Sequence, residues 1–184
     1  MPEDALSVLQ FWFLELMPEN WFSSSQELDQ QIARRFGHLL VQAGSGEIDH
    51  WAETPRGRLA LVIVLDQFSR NIHRDTGAAF EQDRKAQELS LDAIENGEDE
   101  RLSIDERQFL YMPLMHAEDR HLQAICVKKF EALVDRAVHV AGFARKHRDI
   151  VERYGRFPYR NPMLGRESTP DERAFIDHQG NPFS

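Results

Sequence analysis

One cysteine, Cys126, stands alone among 184 residues, so no internal disulfide can close. That usage fits a reducing setting and an expected cytoplasmic location. No apolar run approaches the roughly 20 residues that a membrane helix needs, and no membrane partner is expected. A secretory leader needs a basic start and a longer apolar core than Phe11-Trp12-Phe13-Leu14 offers. The acidic Met1-Pro2-Glu3-Asp4 gives no reason to expect one. β-branched runs are few, and no segment alternates apolar with polar residues for long, which argues against a sheet. Also missing are a glycine-rich phosphate loop, a Gly-x-Ser-x-Gly elbow and a paired Cys-x-x-Cys, so the known covalent mechanisms have no foothold. Cys126, set among Ile125, Val127 and Phe130, reads as a buried, inert thiol.

What is present is an ordinary globular composition, 41% apolar and 29% charged, long enough for one domain over residues 1–184. The net charge of −9 hides an asymmetry: Phe143 to Arg166 holds seven basic residues against two acidic ones. Acidic chains bind duplex nucleic acid poorly, because backbone affinity comes from neutralising phosphates, and no nucleic-acid partner is expected. The basic island could still hold one small anion, or dock on acidic parts of its own domain.

The periodicity is helical almost throughout. Ala5, Leu9, Trp12, Phe13 and Leu16 mark a first amphipathic helix; Leu28, Ile32, Phe36, Leu39 and Leu40 mark a second, stopping near Gly44-Ser45-Gly46. Thr54-Pro55 pairs a cap residue with proline at the first helical position and opens a third. Phe80, Ala86, Leu89, Ala93 and Ile94 outline a fourth, closed by Asn96-Gly97. Ser103-Ile104-Asp105-Glu106 is a capping box, and Pro113 is expected to break or kink the helix it starts. A longer helix is expected from about Ala117 to His139. Another carries Phe143, His147, Ile150, Val151 and Tyr154 to Gly155, with His147 read as a satisfied core histidine. An irregular stretch, Arg156 to Pro162, precedes a second capping box, Thr169-Pro170-Asp171-Glu172. The expected fold is all-α, an array or bundle of antiparallel helix pairs with an irregular C-terminal loop. The strict tetratricopeptide signature is missing.

The chemistry gathers in three clusters. The most apolar stretch, Leu59 to Leu65, runs straight into Asp66-Gln67-Phe68-Ser69-Arg70-Asn71-Ile72-His73-Arg74. Burying unpaired charge costs several kcal/mol, roughly, so Asp66, Arg70 and Arg74 must find partners in the protein or in a ligand. Asp66, Arg70 and Arg74 recur every four residues, as do Gln67 and Asn71, giving two adjacent rows on one side of a helix. As a ligand site, Arg70 and Arg74 are anion forks, Asp66 their orienter, and Gln67 and Asn71 neutral donors. The second cluster, Tyr111 to Asp119 with Gln123, places His116, Asp119 and Gln123 on one face with Cys126. The third is Arg153, Arg156, Arg160, Asn161 and Arg166, in and around a loop rich in proline and aromatics. No metal is expected: His116 and His121 lie five apart and point about 140° away from each other on a helix. No cofactor is called for.

The chain resembles a bacterial family catalogued as domain of unknown function 924. The matching stretches are Val8 to Phe13, Leu65 to Asn71, Tyr111 to Glu118, Tyr154 to Asn161, and Leu164-Gly165-Arg166. The resemblance implies a tetratricopeptide-like, all-helical fold and no particular activity. Ser69, Ala117 and Tyr159 stand where that family commonly carries proline, serine and histidine. Three readings follow for function. The first is a cleft where Arg70, Arg156, Arg160 and Arg166 hold a phosphate- or carboxylate-bearing metabolite. Gln67, Asn71, Arg74, Asp119 and Asn161 then assist, with Asp66, His116 and Glu118 as acid–base groups. The second is a helical module that grips a protein partner through Trp21, Phe22 or Trp51. The third makes the charged clusters structural ion pairs.

Overall fold

The computed structural model describes residues 1–22 and 25–180. It is all-α, with no strand among the described residues. Two compact units, Met1–Glu131 and Ala132 onward, are described in turn.

The first unit is built around the helix that the apolar run predicts. Thr54 caps α3 (Pro55–Val62) by accepting the Gly57 amide on its hydroxyl, and Pro55 fills the first position. The helix then widens into a π-helical turn, Ile63–Phe68, before closing as α4 (Ser69–Ile72). Every residue from Gly57 to Ser69 is buried, so this helix is the core of its unit rather than one wall of it.

Around the central helix pack α1 (Glu3–Gln10), α2 (Gln26–Ser45), α5 (Asp83–Glu95) and α6 (Ile104–Met115). A second π-helical turn, Phe11–Glu15, continues α1 and buries Phe11 and Trp12. Phe11, Phe36 and Phe68 lie within 5.0–6.1 Å of one another, and Trp12 meets Phe68 and Phe109 edge-on. Gly46, with φ of 87°, ends α2 where the Gly44-Ser45-Gly46 signal placed the stop.

Two boundaries differ from expectation. Pro113 lies inside α6, which continues past it to Met115 instead of breaking there. The two helices expected on either side of residues 140–142 are one, α7 (Arg120–Tyr154). Gly142 has no positive φ and neither a proline nor a cap accompanies it, so a lone glycine weakens the helix without ending it.

In the second unit Gly155, with φ of 70°, follows the end of α7. A loop with one 3₁₀ turn at Pro158–Arg160 leads to α8 (Pro170–Gln179), opened by the Thr169–Glu172 capping box. Tyr154 packs against Phe175 at 5.2 Å, and His147 is half-buried with Nδ1 2.8 Å from the Phe143 carbonyl.

Two glycines on helices separate propensity from packing. A Cβ at Gly57 would collide with the Trp51 carbonyl and lie 2.8 Å from Thr54 Oγ1, whereas one at Gly37 meets nothing within 4 Å. Gly37→Ala should stabilise by up to about 1 kcal/mol, the usual helix-propensity gain. Gly57→Ala should destabilise by about 2 kcal/mol as the cap is displaced and the backbone shifts. Urea denaturation of both variants checks the opposite signs.

Candidate functional site

The π-helical turn carries Asp66, wholly buried in an apolar helix, and such turns recur at functional positions. Its carboxylate has a full set of partners. Oδ1 is hydrogen-bonded to His116 Nδ1 at 2.8 Å and lies in an ion pair 2.8 Å from Arg70 Nη1, and Oδ2 accepts from Gln67 Nε2 at 2.6 Å. Arg70 Nη1 also donates to the Asp66 carbonyl at 3.0 Å, covering a backbone acceptor in the widened turn.

His116 arrives from the other side of the unit, as the residue that ends α6. The turn holding it is braced at both ends. Gln123 Nε2 donates to the Met115 and Ala117 carbonyls at 2.8 Å, and the Asp119 carboxylate accepts the His121 and Leu122 amides to cap α7. An ionised carboxylate only accepts, so Nδ1 carries a hydrogen, and in the neutral ring Nε2 is then the acceptor. Nε2 has no partner among the described residues.

His116 and Arg70 line a cavity of about 560 Å³ together with Phe80, Asp83, Gln87 and Glu118. Asp83 holds Arg70 bidentately at 2.9 and 3.0 Å, while Glu118 pairs with nothing among the described residues. No serine, threonine, cysteine or lysine lines the cavity. Ser69 is nearby in sequence but buried, donating to the Ala79 carbonyl at 3.1 Å. Cys126 is buried, and desolvation pushes its thiol pKa up. Among the described residues, the side chains at the cavity offer acid–base groups and hydrogen-bonding partners.

Several residues expected to bind a ligand have other work. Arg74 grips Asp29 through Nε at 2.6 Å and Nη2 at 2.7 Å, and Asn71 donates to the same carboxylate at 2.7 Å. These bonds, Arg74 first, hold the Asp29 carboxyl below its usual range. Asp119 is a helix cap, and Gln67 orients Asp66. Arg70 and Arg74, expected as anion forks, are each paired with a carboxylate of their own unit. Trp51 is core, Trp21 is half-buried with Nε1 on the Trp12 carbonyl, and Phe22 is exposed. Among the described residues no group of three or more His, Cys, Asp or Glu could hold a metal ion, and no helix is long and apolar enough to cross a membrane.

Arg156, Arg160, Asn161 and Arg166 belong to the second unit. Arg156 is also occupied: Nε and Nη2 reach the two oxygens of Glu172 at 2.6 and 2.8 Å. Asn161 Nδ2 donates to Ser168 at 3.0 Å and more weakly to Glu172. Arg160 stacks over Phe157, 4.5 Å from the ring centre. Asn161 Oδ1 and Arg166 Nε are buried without hydrogen-bond partners. Glu172 thus serves the capping box and Arg156 together, which depresses its pKa to about 2.

Asp29, Asp83 and the Arg156-binding role of Glu172 were missed from sequence. Each sits in the first turn of a helix, where acidic residues are common for dipole reasons alone. Nothing local marks them as partners of a distant arginine.

Three outcomes follow. Asp66→Asn should cost about 2–3 kcal/mol in urea unfolding, because it removes a buried charge that Arg70 and His116 both face. Asp83→Asn should cost under about 1 kcal/mol, since that pair is partly open to water. Glu172 stabilises its unit fully above its unfolded pKa near 4.5, and the contribution is lost as pH falls toward 2. Amide exchange in α8 should therefore accelerate over that window, and Glu172→Gln should flatten the dependence.

The sequence profile of the family described as "Bacterial protein of unknown function (DUF924)" matches residues 8–180. A solved structure from Agrobacterium tumefaciens, titled as the protein of unknown function ATU0120, is similar at 38% identity. The match covers 94% of this chain and 96% of that one, with a TM-score of 0.68. No curated protein matches. With nearly the whole chain matched by the profile, the protein belongs to the DUF924 family.

Proposed function

We propose that the cavity of the first unit binds a small polar molecule and that His116, oriented by Asp66, exchanges a proton with it. The observation that carries this reading is the Asp66–His116 pair at 2.8 Å, its Nδ1 committed and its Nε2 left to the cavity. A hydroxyl or amine proton of the bound molecule, or of a water beside it, moves to Nε2. The imidazolium so formed is stabilised by Asp66 and returns the proton to the bound molecule. Glu118, unpaired at the same cavity, is the second acid–base group.

The saturation of Arg70, Arg74 and Arg156 by carboxylates favours a second reading, in which these clusters are struts only. The two separate on one experiment: native mass spectrometry of the protein after incubation with the deproteinised small-molecule fraction of a bacterial lysate. A stoichiometric adduct, reduced at least about tenfold in occupancy by His116→Ala and by Glu118→Gln, is the expected result. No adduct, or one that neither substitution changes, overturns the ligand site in favour of struts.

A further inference from the structure

The charges around the cavity narrow the class of molecule it takes. Two carboxylates, Asp83 and Glu118, line the cavity and a third, Asp66, lies behind it, while the one guanidinium there, Arg70, is divided between Asp66 and Asp83. With a neutral imidazole the cluster carries two negative charges more than positive. The surrounding unit shares the sign, residues 1–131 holding 24 acidic side chains against 13 basic ones. An anion entering here would have to displace Asp83 from a bidentate fork while facing Glu118, with attraction from a single shared cation.

We infer that the cavity binds a small organic cation, an ammonium- or amidine-bearing molecule whose charged head lies between Glu118 and Asp83. This rests on the proposed site and specifies its ligand. Glu118 is the counter-charge, having no partner of its own among the described residues. Phe80 supplies an aromatic wall that is 60% exposed. Arg70 already sits 5.5 Å from the centre of that ring, so the cavity contains one cation–aromatic contact and has open ring surface for another. Gln87 adds a carbonyl oxygen able to accept from an N–H of the head group. His116 Nε2 accepts a further N–H, the arrangement in which it could take up a proton from a bound ammonium and leave the amine neutral and nucleophilic.

The test uses three probes with one carbon skeleton and different heads: n-butylammonium, 1-butanol and butyrate. Each is titrated into the full chain at neutral pH and low salt, and binding is read from the imidazole resonances of His116. Saturable shifts with n-butylammonium, stronger than with the other two and weakened about tenfold by Glu118→Gln, are expected. Saturation by butyrate or butanol in preference to the ammonium overturns the cation assignment and leaves a ligand site standing. If none of the three moves His116, the cation assignment falls, while the site itself is decided by the lysate adduct. Phe80→Leu should weaken the ammonium severalfold and leave butanol unchanged; equal weakening of both would remove the aromatic contact from the assignment.

Discussion

A carboxylate shut away from water lies at the middle of a helix that is apolar on every side, and the first unit is arranged to satisfy it. Asp66 cannot be hydrated, so each lone pair has to be met by protein. Gln67 comes from the next residue, Arg70 from the next turn, and His116 from fifty residues further on. The last contact fixes where α6 must end and α7 begin, because the imidazole has to reach the π-helical turn. The caps by Gln123 and Asp119 hold that short connection in place.

Stability gives little reason for such a group. Apolar residues of similar volume at a buried ion pair are often neutral or better, so a buried carboxylate is weak evidence of a stabilising design. The histidine adds less, being partly exposed and bound to an oxygen that Arg70 already serves. What the arrangement does provide is a ring held in one orientation and one tautomer. That is a requirement for moving protons and irrelevant to holding helices together.

Much of the fold could be read from sequence because its punctuation is local. Thr54-Pro55, both capping boxes, Gly46 and Gly155 each act within a few residues and appear where the pattern put them. Asp66, Arg70 and His116 stood out for a similarly local reason, as polar residues interrupting apolar faces. Their partners did not, since Asp83 and Asp29 look like ordinary first-turn acids until the chain is folded. Asp119 is the reverse case. It sits just before Arg120, where a cap belongs, yet its place on the stripe with His116 and Gln123 made it resemble a ligand. The joining of α7 across Gly142 shows the limit of glycine as a signal without a positive φ or a following proline.

An arginine in sequence says nothing about whether an anion will find it free, and the two units show why that matters. In the second, Arg156 and Glu172 close on each other, and the same carboxylate completes the capping box, so its acceptors are used. Two polar atoms there, Asn161 Oδ1 and Arg166 Nε, are buried without partners, and exposed Arg160 stacks on Phe157. In the first, equally close pairing of Arg70 leaves an imidazole nitrogen and a whole carboxylate at a cavity wall. The surplus at that wall is of acceptors and negative charge, not of guanidinium donors. On the cation reading a complementary molecule brings hydrogen-bond donors and positive charge, and Arg70 is the guanidinium that offsets Asp66 and Asp83.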